Sequence, residues 1–175
     1  PLKEMVELID LRISHNQIRD IRPLVDMVSL RVLHLSHNQI SDLRPLRWGL
    51  TELWADNNQI DDITPLKGMG VERLNLNHNQ ISDINILARM AWLRELYLWG
   101  NQISDLSPLS GLVNLNVLWL GDNQIADLKP LVENPGLSEG DCIYLANNPL
   151  NSVSIDVYVP QLMARGVRID LIDRG

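Results

Sequence analysis

The sequence predicts a right-handed α/β repeat solenoid in which a parallel β-sheet forms the concave face. Three observations predict it. The tripeptide Asn-Gln-Ile begins at Asn16, Asn38, Asn58, Asn79, Asn101 and Asn123, at spacings of 22, 20, 21, 22 and 22 residues, and Asn148-Pro149-Leu150 follows as a seventh copy. Upstream of each Asn lies an alternating apolar frame, Leu8-x-x-Leu11-x-Ile13 in the first copy and Leu30-x-x-Leu33-x-Leu35 in the second. Downstream comes Asp20-Ile21-x-Pro23-Leu24, then Asp42-Leu43-x-Pro45-Leu46, and so on to Asp127-Leu128-x-Pro130-Leu131, with Ile86 replacing the Pro in repeat four. A unit this short cannot bury its apolar face alone, so the copies must stack and share a core.

Each element follows from its residues. The alternating frame makes a strand with one buried and one solvent face. One strand per repeat stacks in parallel through a right-handed crossover, and at ~4.8 Å per strand seven coils give a sheet about 30 Å across. The recurring Asn marks the turn out of the strand. Its amide donates and accepts at once, so a stack of them satisfies backbone groups that the turns leave bare. Asp20, Asp42, Asp62, Asp83, Asp105 and Asp127 recur in register, but Asp before Ile-x-Pro-Leu reads as a turn or helix cap, accepting from N–H groups two or three residues on. The short, Pro-marked outer segments predict 3-10 turns and extended backbone.

This frame resembles the leucine-rich repeat along essentially the whole chain. The 22-residue unit, and the phrase running unbroken from Asn101 to Leu109, resemble the internalin-type repeats of bacteria. The stretch from Asn148 to Val167 resembles a terminal unit of such arrays. The resemblance implies a recognition module without catalytic chemistry. Repeats of this kind are often fused to enzymes or surface anchors, and the likeness leans towards secretion, with the compartment left open.

Composition bounds the function. Thirty-one Leu, sixteen Asn and no Phe imply an aliphatic core. A net charge of −7 argues against a nucleic-acid face. A single Cys excludes a disulfide framework and a thiolate zinc cluster, and no apolar run is long enough to insert into a membrane. No nucleophile constellation or phosphate loop appears, and no cofactor is implied.

The seven coils, preceded by a partial repeat, occupy 1–150, and a cap occupies 151–175. Pro1-Leu2 falls in the register of a preceding coil, with Met5 aligned to Met27 and Met90. The sequence is therefore expected to be a fragment whose bare first strand, around Asp10 to Ile13, invites self-association. In the cap, Ile155, Tyr158, Val159, Leu162 and Met163 share one helical face, with Ser154 or Asp156 as possible caps, Pro160 in the first turn and Gly166 as the stop. Val167, Ile169 and Leu171 then alternate as a strand.

Function is expected in the positions that vary. The column between the second and third strand Leu reads Arg12, His34, Trp54, Asn75, Tyr97, Trp119, Tyr144; the column after the third reads Ser14, Ser36, Asp56, Asn77, Trp99, Gly121, Ala146. Five of the chain's eight aromatics fall there: Trp54, Tyr97, Trp99, Trp119 and Tyr144. Such a patch suits a protein or peptide ligand, with a glycan as the alternative, and His34, Arg73 and Glu95 join it as polar neighbours. Glu52, Asp56, Arg94 and Asp122 complete a charged rim. Trp48 and Trp92, outside these columns, are expected to plug irregular coil junctions. His15, His37 and His78 form a column before the Asn. It reads as solvated rather than metal-binding, because neither Asp10 nor Asp56 clearly supplies a third ligand. Protonation near pH 6.5 would be its one route to tuning a contact.

Overall fold

The computed structural model describes residues 5–46 and 49–172; Trp48 and the Pro1-Leu2 register lie outside them. Eight three-residue strands form one sheet in chain order: β1 (Asp10–Arg12), β2 (Val32–His34), β3 (Glu52–Trp54), β4 (Arg73–Asn75), β5 (Glu95–Tyr97), β6 (Val117–Trp119), β7 (Cys142–Tyr144) and β8 (Arg168–Asp170). All seven pairings are parallel and in constant register, so Leu11, Leu33, Leu53, Leu74, Leu96, Leu118, Ile143 and Ile169 form one inward row. Differences in coil length are absorbed outside the strands.

Beneath the sheet the core is Leu, Ile, Val, Met and Ala, with no Trp or Tyr among the buried hydrophobic residues described. The outer side carries 3-10 turns at Arg22–Leu24, Thr64–Leu66, Asn85–Arg89 and Ser107–Leu109, and a five-residue helix, α1 (Lys129–Glu133), in the sixth coil. Each repeated Asp accepts the N–H two residues on, at 2.8–2.9 Å: Arg22, Arg44, Thr64, Asn85, Ser107 and Lys129 are the donors. These carboxylates hold turns.

The Asn stack holds neighbouring coils together. The Asn101 side chain accepts the Ile81 N–H at 3.0 Å and donates to the Leu76 and Leu98 carbonyls, both at 3.0 Å. The bond from a preceding-coil Ile N–H recurs at Asn38, Asn58, Asn79, Asn123 and Asn148. Just before these Asn residues, His15, His37, Asn57, His78, Asp122 and Asn147 all have φ between 49° and 59°, and Gly100 has φ 69°. The backbone is left-handed at this position in every coil, a conformation that His, Asn, Asp and Gly tolerate better than most. The histidine column therefore has a backbone cause.

The C-terminal segment departs from expectation in phase and capping. Residues Ser154–Tyr158 wind as a π-turn ahead of α2 (Val159–Ala164), with the Val159 N–H reaching back to the Ser154 carbonyl. The wide turn sits just before Pro160, which has no N–H to offer the ladder. It swings Ser154 inward, while Ile155 and Met163 stay 47% and 57% exposed. The cap is Asn151, whose Oδ1 accepts the Ser154 N–H at 2.8 Å. Buried Ser154 instead binds the sixth coil, donating to the Ala126 carbonyl and accepting the Leu128 N–H. Gly166, at φ 86°, ends the helix. Asn134, in the insertion before the seventh coil, is fully buried and donates to the Leu109 and Leu112 carbonyls. Trp92 plugs nothing: it is 67% exposed. Among the described residues no helix is long and apolar enough to cross a membrane.

Replacing Asn101 with Ala strands one N–H and two carbonyls in the interior. A loss of about 2–4 kcal/mol is expected, measured by urea unfolding; an unchanged midpoint would contradict the role given to the stack.

Candidate functional site

Constant register places the variable strand residues side by side on the solvent face. His34 stacks on Trp54, ring centroids 5.7 Å apart and planes within 5°. Trp54 reaches past Asn75 to Tyr97 at 5.8 Å, Tyr97 meets Trp119 at 5.5 Å, and Trp119 meets Tyr144 at 5.0 Å. Trp99, from the adjacent column, turns edge to face against Trp119 at 6.4 Å. Trp119 thus touches Tyr97, Trp99 and Tyr144, and at 36% it is more open to solvent than the three rings around it. All five predicted aromatics belong to one connected cluster.

Most polar atoms of these rings are committed. The Trp99 indole donates to the Asp122 carboxylate, and its backbone N–H donates to Asn77 Oδ1 at 2.7 Å. The Tyr97 hydroxyl donates to Glu95 at 2.9 Å. Burial, reinforced by that carboxylate, pushes the Tyr97 phenol up to about 12. Trp54 Nε1 is, among the described residues, the one buried side-chain N or O atom without a hydrogen-bond partner. The Trp99 ring lies against Gly121, where a Cβ would sit 2.5 Å from Cζ3.

The polar neighbours pair with one another. Arg73 bridges Glu52 at 2.6 Å and Glu95 at 3.1 Å, spanning β3 to β5. Asp56 accepts from Ser36 (2.6 Å), Asn57 (2.8 Å) and Asn75 (3.2 Å), with His37 Nε2 3.8 Å away. His15 and His37 stack at 4.2 Å. Among the described residues no three metal-ligating side chains converge.

Two contributors escaped sequence reasoning. Gly121 interrupts a column of side chains, and that gap is the visible signal. Arg168, treated as part of the cap, stands 5.8 Å over the Tyr144 ring and donates to its hydroxyl at 2.6 Å. Its signal was the alternation of Val167-Arg168-Ile169-Asp170, which continues the strand frame by one row.

The family model for leucine-rich repeats, in two-copy units, matches residues 6–48, 28–68, 70–111 and 91–133. An internalin of Listeria monocytogenes, InlC2, superimposes with TM-score 0.81 at 31% identity, over 98% of this chain and 74% of that one. The chain belongs to the leucine-rich repeat proteins of the internalin type. A second Listeria internalin, InlF, gives TM-score 0.85 at 29% identity over 96% of this chain, which spans only 48% of InlF. A leucine-rich repeat protein of Leptospira interrogans shares the fold, with TM-score 0.60 at 22% identity over 97% of this chain and 56% of that one. No curated protein matches the sequence. Within this internalin-type sheet, the face holds a ring cluster and interlocked polar side chains.

Gly121→Ala should push the Trp99 ring off the face while leaving far-UV circular dichroism intact. Tryptophan emission should change, and the change should vanish in a Trp99→Phe background; identical spectra would contradict the packing. In an absorbance titration Tyr97 should ionise near pH 12, and Glu95→Gln should lower that value only in part, because burial, the larger cause, stays. The direction follows because a nearby carboxylate disfavours the phenolate.

Proposed function

We propose that the concave sheet is a non-catalytic binding face for a protein or peptide, with Trp54, Tyr97, Trp99, Trp119 and Tyr144 as anchors and His34, Arg73 and Glu95 flanking them. The observation that carries this reading is the gathering of Tyr97, Trp99 and Tyr144 around half-open Trp119, in a chain whose described core uses no Trp or Tyr. Solvent-facing Trp and Tyr in a contiguous group are the residues that carry interface hot spots. A sheet fixed by stacked coils loses little freedom on binding. Rings set edge to face against one another offer fewer open faces than a sugar platform needs, which favours polypeptide over glycan.

Because the chain spans about half of InlF, the face also fits a recognition arm within a longer protein. Panning the chain against a random-peptide display library supplies a probe for either setting. Trp99→Ala and Trp119→Ala should each weaken the enriched peptides by about 2 kcal/mol in fluorescence anisotropy, with the fold retained. Wild-type affinity in the double variant would refute the assignment.

A further inference from the structure

Resting on that binding face, we infer that Arg168 reads a single carboxylate of the peptide, an acidic side chain or a free C-terminus, placed within about three residues of the group that packs on Trp119. The cap strand thereby becomes part of the recognition surface.

Arg168 pairs in register with Cys142 on β7, one row beyond the last aromatic strand. Its guanidinium is positioned by two contacts to Tyr144, one from Nη2 to the hydroxyl and one over the ring. The residue is solvent-exposed. No other hydrogen bond from its side chain is found among the described residues, so Nε and Nη1 remain for an incoming acceptor. A planar guanidinium held in place by an aromatic ring is preorganised for a carboxylate.

The spacing comes from the ring row. Arg168 lies 5.8 Å from the Tyr144 centroid, and Tyr144 lies 5.0 Å from Trp119. Two such steps set an upper limit on the span, roughly three residues of extended chain at ~3.3 Å each.

Charge limits the ligand further. Asp170 stands two residues along the same strand, and the Asp141 carbonyl accepts the Arg168 N–H. Two other arginines of the concave rim are engaged, Arg94 by Glu72 at 3.4 Å and Arg73 by Glu52 and Glu95. With Asp170 acting on the same guanidinium and a net charge of −7, a polyanion is repelled while one carboxylate is accommodated.

The test uses random twelve-residue peptides displayed with free and with blocked C-termini, and a glycan array carrying uronic acids. Enriched peptides should carry Asp, Glu or a free terminus within about three positions of an apolar residue. Arg168→Gln should weaken them about tenfold or more, and Arg168→Glu should shift selection towards Lys or Arg at that position. Bound peptide should also protect the neighbouring Cys142 thiol from alkylation. Peptides that depend on Trp119 but ignore Arg168→Gln would overturn this inference while leaving the binding face standing. Failure of both Trp119→Ala and Arg168→Gln to weaken them would remove the face itself. Capture of uronic-acid glycans with no enriched peptide would overturn the peptide carboxylate.

Discussion

Three-residue strands leave most of a coil's backbone outside the sheet ladder, yet each coil is pressed against two neighbours that exclude water. Buried N–H and C=O groups must still find partners. The Asn stack meets that demand with one side chain per coil. Its carbonyl oxygen takes the Ile N–H of the preceding coil, and its amide reaches carbonyls in both coils. Such a contact fixes the distance and rotation between coils, so register, sheet and solvent face all inherit their geometry from it. The left-handed residue before each Asn is the backbone counterpart, because it turns the chain so that the amide points inward.

Constant register has a chemical consequence. A residue two positions along a strand faces the same side as its equivalents in every other coil. Aromatic side chains spaced about 22 residues apart in sequence therefore become ring neighbours at 5–6 Å. The aliphatic core permits this arrangement, since stacked Leu rows fill the interior without rings. Trp and Tyr are thereby free to lie on the sheet's outer face, and Trp119 collects three of them.

The repeat made the sheet, the Asn stack and the Asp turns legible, because each depends on residues recurring at fixed offsets. What escaped depends on conformation or on chain segments that do not recur. The histidines before the Asn read as a polar column, although their position is set by a left-handed backbone that one-dimensional spacing does not display. A uniform helical period placed Ile155 and Met163 inward, but the π-turn before Pro160 changes the phase and turns Ser154 to the core. Asn134 recurs nowhere, so nothing in the frame marked it as buried glue. For the candidate site, the column assignments located the aromatics. They could not show that Trp99 needs Gly121 as its floor, or that Arg168, in the column of Cys142, reaches across to the Tyr144 ring.

The two halves of the face differ in what they have left to offer a ligand. From the first coil to the start of the fifth the polar side chains answer one another: Asp56 gathers Ser36, Asn57 and Asn75, and Arg73 is shared between Glu52 and Glu95. Breaking these pairs to contact a ligand exchanges one set of polar bonds for another, with little net gain. Asn75 interrupts the ring column at the boundary, and Trp54 beside it leaves its Nε1 buried and unpaired. From Tyr97 onward the situation reverses. Internal bonds to Asp122, Glu95 and Arg168 hold the rings in place rather than occupy their surface, and Trp119 remains open. Covering that surface removes apolar area from water without breaking an internal bond, so the C-terminal half of the sheet is where binding energy is available.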